Sequence, residues 1–361
     1  MTDMKIITKT IKDFAPSEQN RRNSEGDFIT LADGRILFIY TRYGDGDSDG
    51  AAADLYGSIS ADNGESFSEP FPVFSRERVN ADNVMSVTLR RMANGDIGLF
   101  FLKKEKPIQC RLYLSRSRDE GKTFGEPVAC IPHKGYFVVN NDRIARLESG
   151  RLIAPAAYTN VLFDDDMNST FGIGTAYFYA SDDDGISWRK LGECQPPQAS
   201  VCKTGLQEPL VVELENHTLW ALFRTDLGRQ YQSFSFDGGE CWTPPEPSQF
   251  TAPTSPISIK RLKDGRLFAV WNPVPVYNGR SENVDGVWTG ARTPLAAAFS
   301  DNDGKSFGEL HIIEDDERRG YAYTAIHELE NGEILLAYCA GGVEDGCMLN
   351  RLRIKKLKFE E

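Results

Sequence analysis

The chain has 361 residues, room for two or three ordinary domains or for one large all-β unit. Apolar residues make up 40% and aromatics 11%, which excludes general disorder. The 41 Lys and Arg against 53 Asp and Glu leave a net charge of −12. That balance argues against an electrostatic grip on nucleic acid or on an anionic membrane. No apolar run approaches the roughly 20 residues that span a bilayer.

In chain order, the opening stretch Met1 to Ile11 has neither an apolar core nor a small-residue cleavage site. It reads as a mature start, and a cytoplasmic location is the expectation. Lys5 to Ile11 reads as a strand. Next come paired strand-like runs, each pair joined by a short polar turn. Phe28 to Leu31 and Arg35 to Tyr40 flank Asp33-Gly34, and Val211 to Leu214 and Leu219 to Phe223 flank Asn216-His217. Asn94-Gly95, Ser149-Gly150, Asp264-Gly265 and Asn331-Gly332 occupy the same place elsewhere. An Asx-Gly pair between β-rich runs is a strong short-range hairpin signal.

An octet interleaves with these turns: Ser, any, Asp, any, Gly, any, any, aromatic. It starts at Ser60, Ser117, Ser181, Ser235 and Ser300, with Asn302 replacing Asp in the last copy. Successive copies begin 57, 64, 54 and 65 residues apart. The acidic side chain accepts backbone N–H groups ahead of it, and Gly supplies a left-handed backbone. The aromatics Phe67, Phe124, Trp188, Trp242 and Phe307 then belong to the core. Six turns and five octets give six units of about four antiparallel strands. The expected fold is therefore all-β, a six-bladed β-propeller spanning residues 1–361 as one domain. The last unit lacks an octet; its final strand is expected at 349–357, with Lys5 to Ile11 pairing there to close the ring.

Seven cysteines without a CxxC pair read as reduced thiols, and the four histidines are scattered. The clusters Asp164 to Asp166 and Asp182 to Asp184 lack the spaced ligands of a calcium loop. Neither a metal nor a cofactor is expected.

The octets resemble Asp-boxes, and the chain as a whole resembles the sialidase (neuraminidase) superfamily of six-bladed propellers. The substrate class that this implies carries a carboxylate on the anomeric carbon. Arg matches such a carboxylate bidentately, and a neutral Tyr activated by Glu suits the attack better than a charged nucleophile. By that resemblance Tyr323 is the nucleophile and Glu208 its base, with Arg224 and Arg292 holding the carboxylate. Asp49, with Asp47 next, is the acid/base in the loop 42–50. The family's Arg-Ile-Pro is missing: its place falls on Ser24 or Glu25. Either Arg21 or Arg22 reaches in from a neighbouring turn, or the clamp is incomplete and Glu25 selects a neutral or cationic group. Polar residues at blade-like strand starts are expected around the pocket: Asn83, Asn141, Asp142, Lys103 and Gln207. The implied activity is release of a terminal sialic acid or related acidic sugar with retention. A small acidic sugar or oligosaccharide is then the partner. A hydrolase or lyase on a uronic acid and a non-catalytic sugar-binding propeller are the alternatives.

Overall fold

In the computed structural model, which describes residues 5–105, 109–159, 172–197, 201–274 and 281–360, antiparallel sheets stand around a common centre. Blade 1 comprises Asn23–Thr30, Ile36–Tyr43, Ala53–Ser60 and Phe71–Phe74; blade 2 Asn83–Arg91, Ile97–Glu105, Gln109–Ser117 and Val128–Ala129. Blade 3 comprises Ala145–Arg146, Leu152–Thr159, Thr175–Ser181 and Arg189–Cys194; blade 4 Gln207–Glu213, Leu219–Arg224, Arg229–Ser235 and Glu246–Thr251. Blade 5 comprises Ser258–Arg261, Leu267–Trp271, Leu295–Ser300 and His311–Glu314. Blade 6 takes Ala322–Glu328, Ile334–Cys339 and Leu352–Glu360 from the end of the chain, and its outermost strand, Lys5–Phe14, from the beginning. Lys5 opposes Glu360 and Phe14 opposes Leu352, so the two termini close one sheet as expected. The molecule is a six-bladed β-propeller. No helix among the described residues is long and apolar enough to cross a membrane.

The core is divided into six seams, one between each pair of neighbouring blades, with the blade 6–blade 1 seam built from Phe14, Phe28, Phe38, Leu335 and Ile354. Strand residues alternate between the two faces of a blade, and both faces meet a neighbour. This is why the second strands, such as Ile36–Tyr43, are almost continuously apolar and buried.

Each octet works as the sequence suggests. In the second copy, Asp119 Oδ1 accepts from Ser117 Oγ at 2.8 Å and from the Thr123 amide at 2.9 Å, while Gly121 N donates to Ser117 Oγ at 2.8 Å. The octet also fits one blade to the previous one. Gly121 lies at φ +79° with Leu37 of blade 1 where a Cβ would go, and Gly304 stands in the same way against Trp220 of blade 4. Gly121→Ala is therefore expected to cost about 1–3 kcal/mol, from a left-handed backbone plus a displaced leucine. Thermal denaturation checks this; an unchanged melting temperature would mean that the seam is slack. The aromatic ends of the octets are buried or packed against the seams, and Trp242 stacks on Phe178 at 3.9 Å between centroids. The run Asp182 to Asp184 is spent on separate partners: Arg151, the octet's Ser187, and Arg146. Asp164 to Asp166 lies outside the described residues.

Candidate active site

Four of the six innermost strands carry a β-bulge near their start, marked by register shifts at Ser24/Asp27, Met85/Thr88, Gln207/Leu210 and Ala322/Ala325. In each bulge one non-glycine residue is left-handed: Glu25, Ser86, Glu208 and Tyr323, at φ 53°, 58°, 49° and 62°. Asp142, leading into the innermost strand of blade 3, does the same at 55°. Such residues cost of order 1–3 kcal/mol each and persist only where the surroundings hold them. Their effect is to re-aim side chains toward the hub. Four of these residues lie nine positions before the glycine place of their hairpin turns: Gly34, Gly95, His217 and Gly332. That spacing was legible and would have pointed to Ser86. In blade 5 the same count falls on Pro256, whose ring locks φ at a negative value and excludes the bulge conformation. Blade 5 delivers Arg292 instead, from the segment ahead of its third strand.

The bulges of blades 4 and 6 bring together residues 115 positions apart. Tyr323 Oη donates to Glu208 Oε1 at 3.2 Å. Arg224 Nη1 reaches both, at 2.7 Å from Glu208 Oε1 and 3.3 Å from Tyr323 Oη. Its Nη2 is held by Gln207 Oε1, so Gln207 orients the guanidinium. Tyr323 is buried beside Ala322, Cys339 and Met348. Burial and the adjacent Glu208 push its hydroxyl up to about 12, against the cations of Arg292 and Arg224. Arg292 is 2% exposed and has no carboxylate partner among the described residues. Its Nε and Nη2 bond Thr254 O at 3.2 and 2.8 Å, Nη1 has only Met348 Sδ at 3.7 Å, and the guanidinium lies 5.4 Å from the Tyr323 ring centroid. A buried cation without an anion is suited to receive one.

Blade 1 faces this group differently from a third open arginine. Arg22 is 1% exposed and closed on its own neighbours: Nη1 bonds Asp49 Oδ1 at 2.6 Å and Asp47 O at 3.2 Å, and Nη2 stands 3.5 Å from Glu25 Oε1. The guanidinium also lies 4.5 Å from the Tyr43 ring centroid. Glu25 accepts from Ser86 Oγ of blade 2. Burial raises the Glu25 carboxyl above its ordinary range in spite of Arg22. Burial acts the same way on Asp49, but Arg22 and Lys104 outweigh it and hold that carboxyl well below the usual carboxylate range. The Asp49 side chain remains 58% exposed, so solvent moderates the effect. Blade 1 thus presents one carboxyl held ionised and one pushed toward the neutral form, the divergence that acid/base chemistry uses.

Four expected pocket residues have other work. Lys103 points away from the hub: its Nζ pairs with Glu105 at 2.8 Å and lies 5.6 Å from the Tyr113 ring centroid. Its neighbour Lys104 takes the inward direction, with Nζ on Asp49 O at 2.6 Å, because successive strand residues face opposite sides. Asn83 is fully buried and ties down the acidic loop through Nδ2 on Ala51 O at 2.5 Å. Asp142 is taken up as a cross-brace, accepting from Lys260 and Arg90 at 2.8 Å and from Ile326 N at 3.0 Å. Asn141 bonds backbone carbonyls. Ser86, Lys104, Met348 and Trp288, whose ring centroid lies 5.0 Å from the Arg292 guanidinium, are the residues near the site that the sequence reading passed over.

A cavity of about 620 Å³ opens at the other end of the innermost strands, among Arg146, Leu210, Glu213 and Lys260. None of Tyr323, Glu208, Arg224 or Arg292 lines it. The convergence of reactive groups, not the volume, locates the candidate site.

Fold and bulge geometry together define a six-bladed propeller with a polar cup at its hub. The chain belongs to the BNR repeat-like domain family, whose pattern matches residues 44–336. No curated protein matches the sequence significantly. Among solved structures, a protein of unknown function from Dyadobacter fermentans superposes with a TM-score of 0.71 at 16% identity, covering 97% of this chain and 99% of that one. A Trypanosoma rangeli sialidase, in a complex with 2,3-difluorosialic acid described as a covalent intermediate, gives 0.71 at 15%, covering 97% of this chain and 59% of that enzyme. The intramolecular trans-sialidase from Ruminococcus gnavus gives 0.66 at 14%, covering 96% of each chain. The fold is that of the sialidase propellers.

Proposed function

We propose that the protein is a retaining glycoside hydrolase of the sialidase type, acting on a terminal sialic acid or a related acidic sugar. The observation that carries this reading is the Tyr323 hydroxyl, 3.2 Å from Glu208 Oε1, with one Arg224 nitrogen bridging both. In the first step Tyr323 Oη attacks the anomeric carbon and its proton passes to Glu208. The glycosidic bond breaks, and the leaving oxygen takes a proton from Asp49, the acid/base residue of blade 1, in the minority of molecules in which that carboxyl is protonated, since Arg22 and Lys104 favour its ionised form. In the second step water, giving its proton to Asp49, displaces Tyr323, which recovers the proton from Glu208. Arg292 and Arg224 hold the sugar carboxylate.

Glu25 favours a second reading of the substrate. The hub has the Arg292 guanidinium, without a carboxylate partner among the described residues, that of Arg224 shared with Glu208, and, on blade 1, a carboxyl closed over Arg22, which suits an acidic sugar gripped less fully than by three arginines, such as a uronic acid. The test is a panel of aryl sialosides and aryl uronosides, with a fluorinated analogue of whichever is cleaved and mass spectrometry of the trapped peptide. A sugar adduct on Tyr323 is the expected result. Turnover with an adduct elsewhere, or saturable binding with no turnover of any glycoside, would overturn the mechanism.

A further inference from the structure

A bulge leaves backbone groups without ladder partners, and buried N–H and C=O groups must find partners elsewhere. The bulge that carries Tyr323 finds them on the opposite side of the ring. Asn141 Nδ2 donates to Tyr323 O at 3.0 Å and, with its other hydrogen, to Gly26 O at 3.0 Å, next to Glu25. Asp142 Oδ2 accepts from Ile326 N at 3.0 Å. Arg143 Nη1 donates to Ser258 Oγ at 3.2 Å, and that hydroxyl donates to Thr324 O at 2.6 Å. Three consecutive residues entering blade 3 thus hold three backbone groups of the Tyr323 strand. The segment is itself anchored on the blade 2 bulge, through Asp142 N on Val87 O at 3.1 Å and Arg143 N on Thr88 Oγ1 at 3.0 Å. Asn141 is 1% exposed, and facing two carbonyls it can only present its nitrogen to them.

We propose that Asn141 is a positioning residue that holds the left-handed backbone of Tyr323, and with it the aim of the hydroxyl at Glu208, while tying the Glu25 bulge to the same point. The amide does not touch the hydroxyl; it acts through the backbone on either side of the channel. Ser258, loaded by Arg143, is the second hold on the same turn. The inference rests on the proposed role of Tyr323, but the brace itself is open to a test that needs no turnover.

That test uses the full chain labelled with ¹³Cζ-tyrosine, the Tyr323 resonance being assigned by its loss in Tyr323→Phe. In the wild type burial and the adjacent Glu208, which push the Tyr323 hydroxyl up to about 12, are expected to keep the resonance from titrating below that pH. In Asn141→Ala the resonance is expected to move and its midpoint to fall toward the ordinary tyrosine value. On an aryl sialoside kcat is expected to drop on the order of 100-fold with KM within threefold, since the ground-state contacts of the sugar are untouched. Ser258→Ala is expected to act in the same direction by about tenfold, and it decides the matter should Asn141→Ala not fold. Ser115→Ala removes an equivalent buried bond, to Gly125 O in blade 2, and controls for general destabilisation. It should leave the Tyr323 resonance and kcat in place. A folded Asn141→Ala with an unmoved resonance, a loss confined to KM, or a Ser115→Ala that mimics Ser258→Ala would overturn the proposal. A wild type inactive on all glycosides, with the resonance still moved by Asn141→Ala, would count against the hydrolase reading and leave the brace standing.

Discussion

Tyr323→Phe is expected to lower turnover of an aryl sialoside by roughly 10³-fold or more, a loss of about 4 kcal/mol of transition-state stabilisation, while binding of the free sugar changes only a few-fold. The ring keeps its packing against Cys339 and Met348, so the fold is expected to survive. Glu208 keeps Arg224 at 2.7 Å, so the variant removes the proposed nucleophile and little else. The base is needed for the same reason that the hydroxyl is. With its pKa pushed up to about 12, Tyr323 is ionised in only about one molecule in 10⁵ at pH 7, so attack requires the proton to move to Glu208 as the bond forms. Glu208→Gln is accordingly expected to be nearly as damaging. Steady-state kinetics beside calorimetric titration of the sugar separates the two effects. Retained turnover in Tyr323→Phe would remove tyrosine from the chemistry and return the search to the blade 1 carboxyls.

The largest effect on stability is expected at Arg22. Arg22→Met leaves Glu25 buried without its cation and Asp49 without its partner, and it uncovers the Tyr43 ring. Breaking a buried ion pair by removing one partner costs about 3–5 kcal/mol; because Asp49 is largely solvated, roughly 2–4 is the expected loss at pH 7. The pH dependence gives the sign. Burial leaves Glu25 with a raised folded pKa, so its contribution favours the folded state below its unfolded value near 4.5 and is lost as pH rises through the folded value. Without Arg22 that value climbs further, so the penalty should shrink toward pH 4, where Glu25 is protonated in both states. Asp49 runs the other way: its contribution is present above its unfolded value near 3.8, and in the wild type it is lost as pH falls through the depressed folded value. Urea denaturation of both proteins at pH 7 and pH 4 measures this. An equal loss at the two pH values would show that the Arg22 charge is irrelevant and only its packing counts. The same variant should raise the Asp49 pKa and, because the proposed acid must be protonated to act, move the alkaline limb of kcat/KM upward.

The hairpin turns at Asp33-Gly34, Asn94-Gly95 and their equivalents, and the five octets, determined the all-β class, the count of six units and the pairing of Lys5 to Ile11 with the last strand. These are local signals: a left-handed glycine or a carboxylate over its own amides works within eight residues and needs no distant partner. Tyr323, Glu208, Arg224 and Arg292 were legible through the family resemblance, and the first two also stand nine positions before a turn.

What the tertiary structure decided is the direction and occupation of each side chain. Lys104 rather than Lys103 turns to Asp49 because successive residues of Ile97–Glu105 face opposite sides and the pairing of that strand within its blade fixes which side is which. Asp142 and Asn141 occupy the place of pocket residues yet are consumed by Lys260, Ile326 and the carbonyls of Gly26 and Tyr323. Arg22, expected from the sequence as a member of the carboxylate clamp, is closed on Asp49. Whether a polar group meets a ligand or a neighbour depends on partners more than 100 positions away in sequence, brought within 3 Å only when the ring closes.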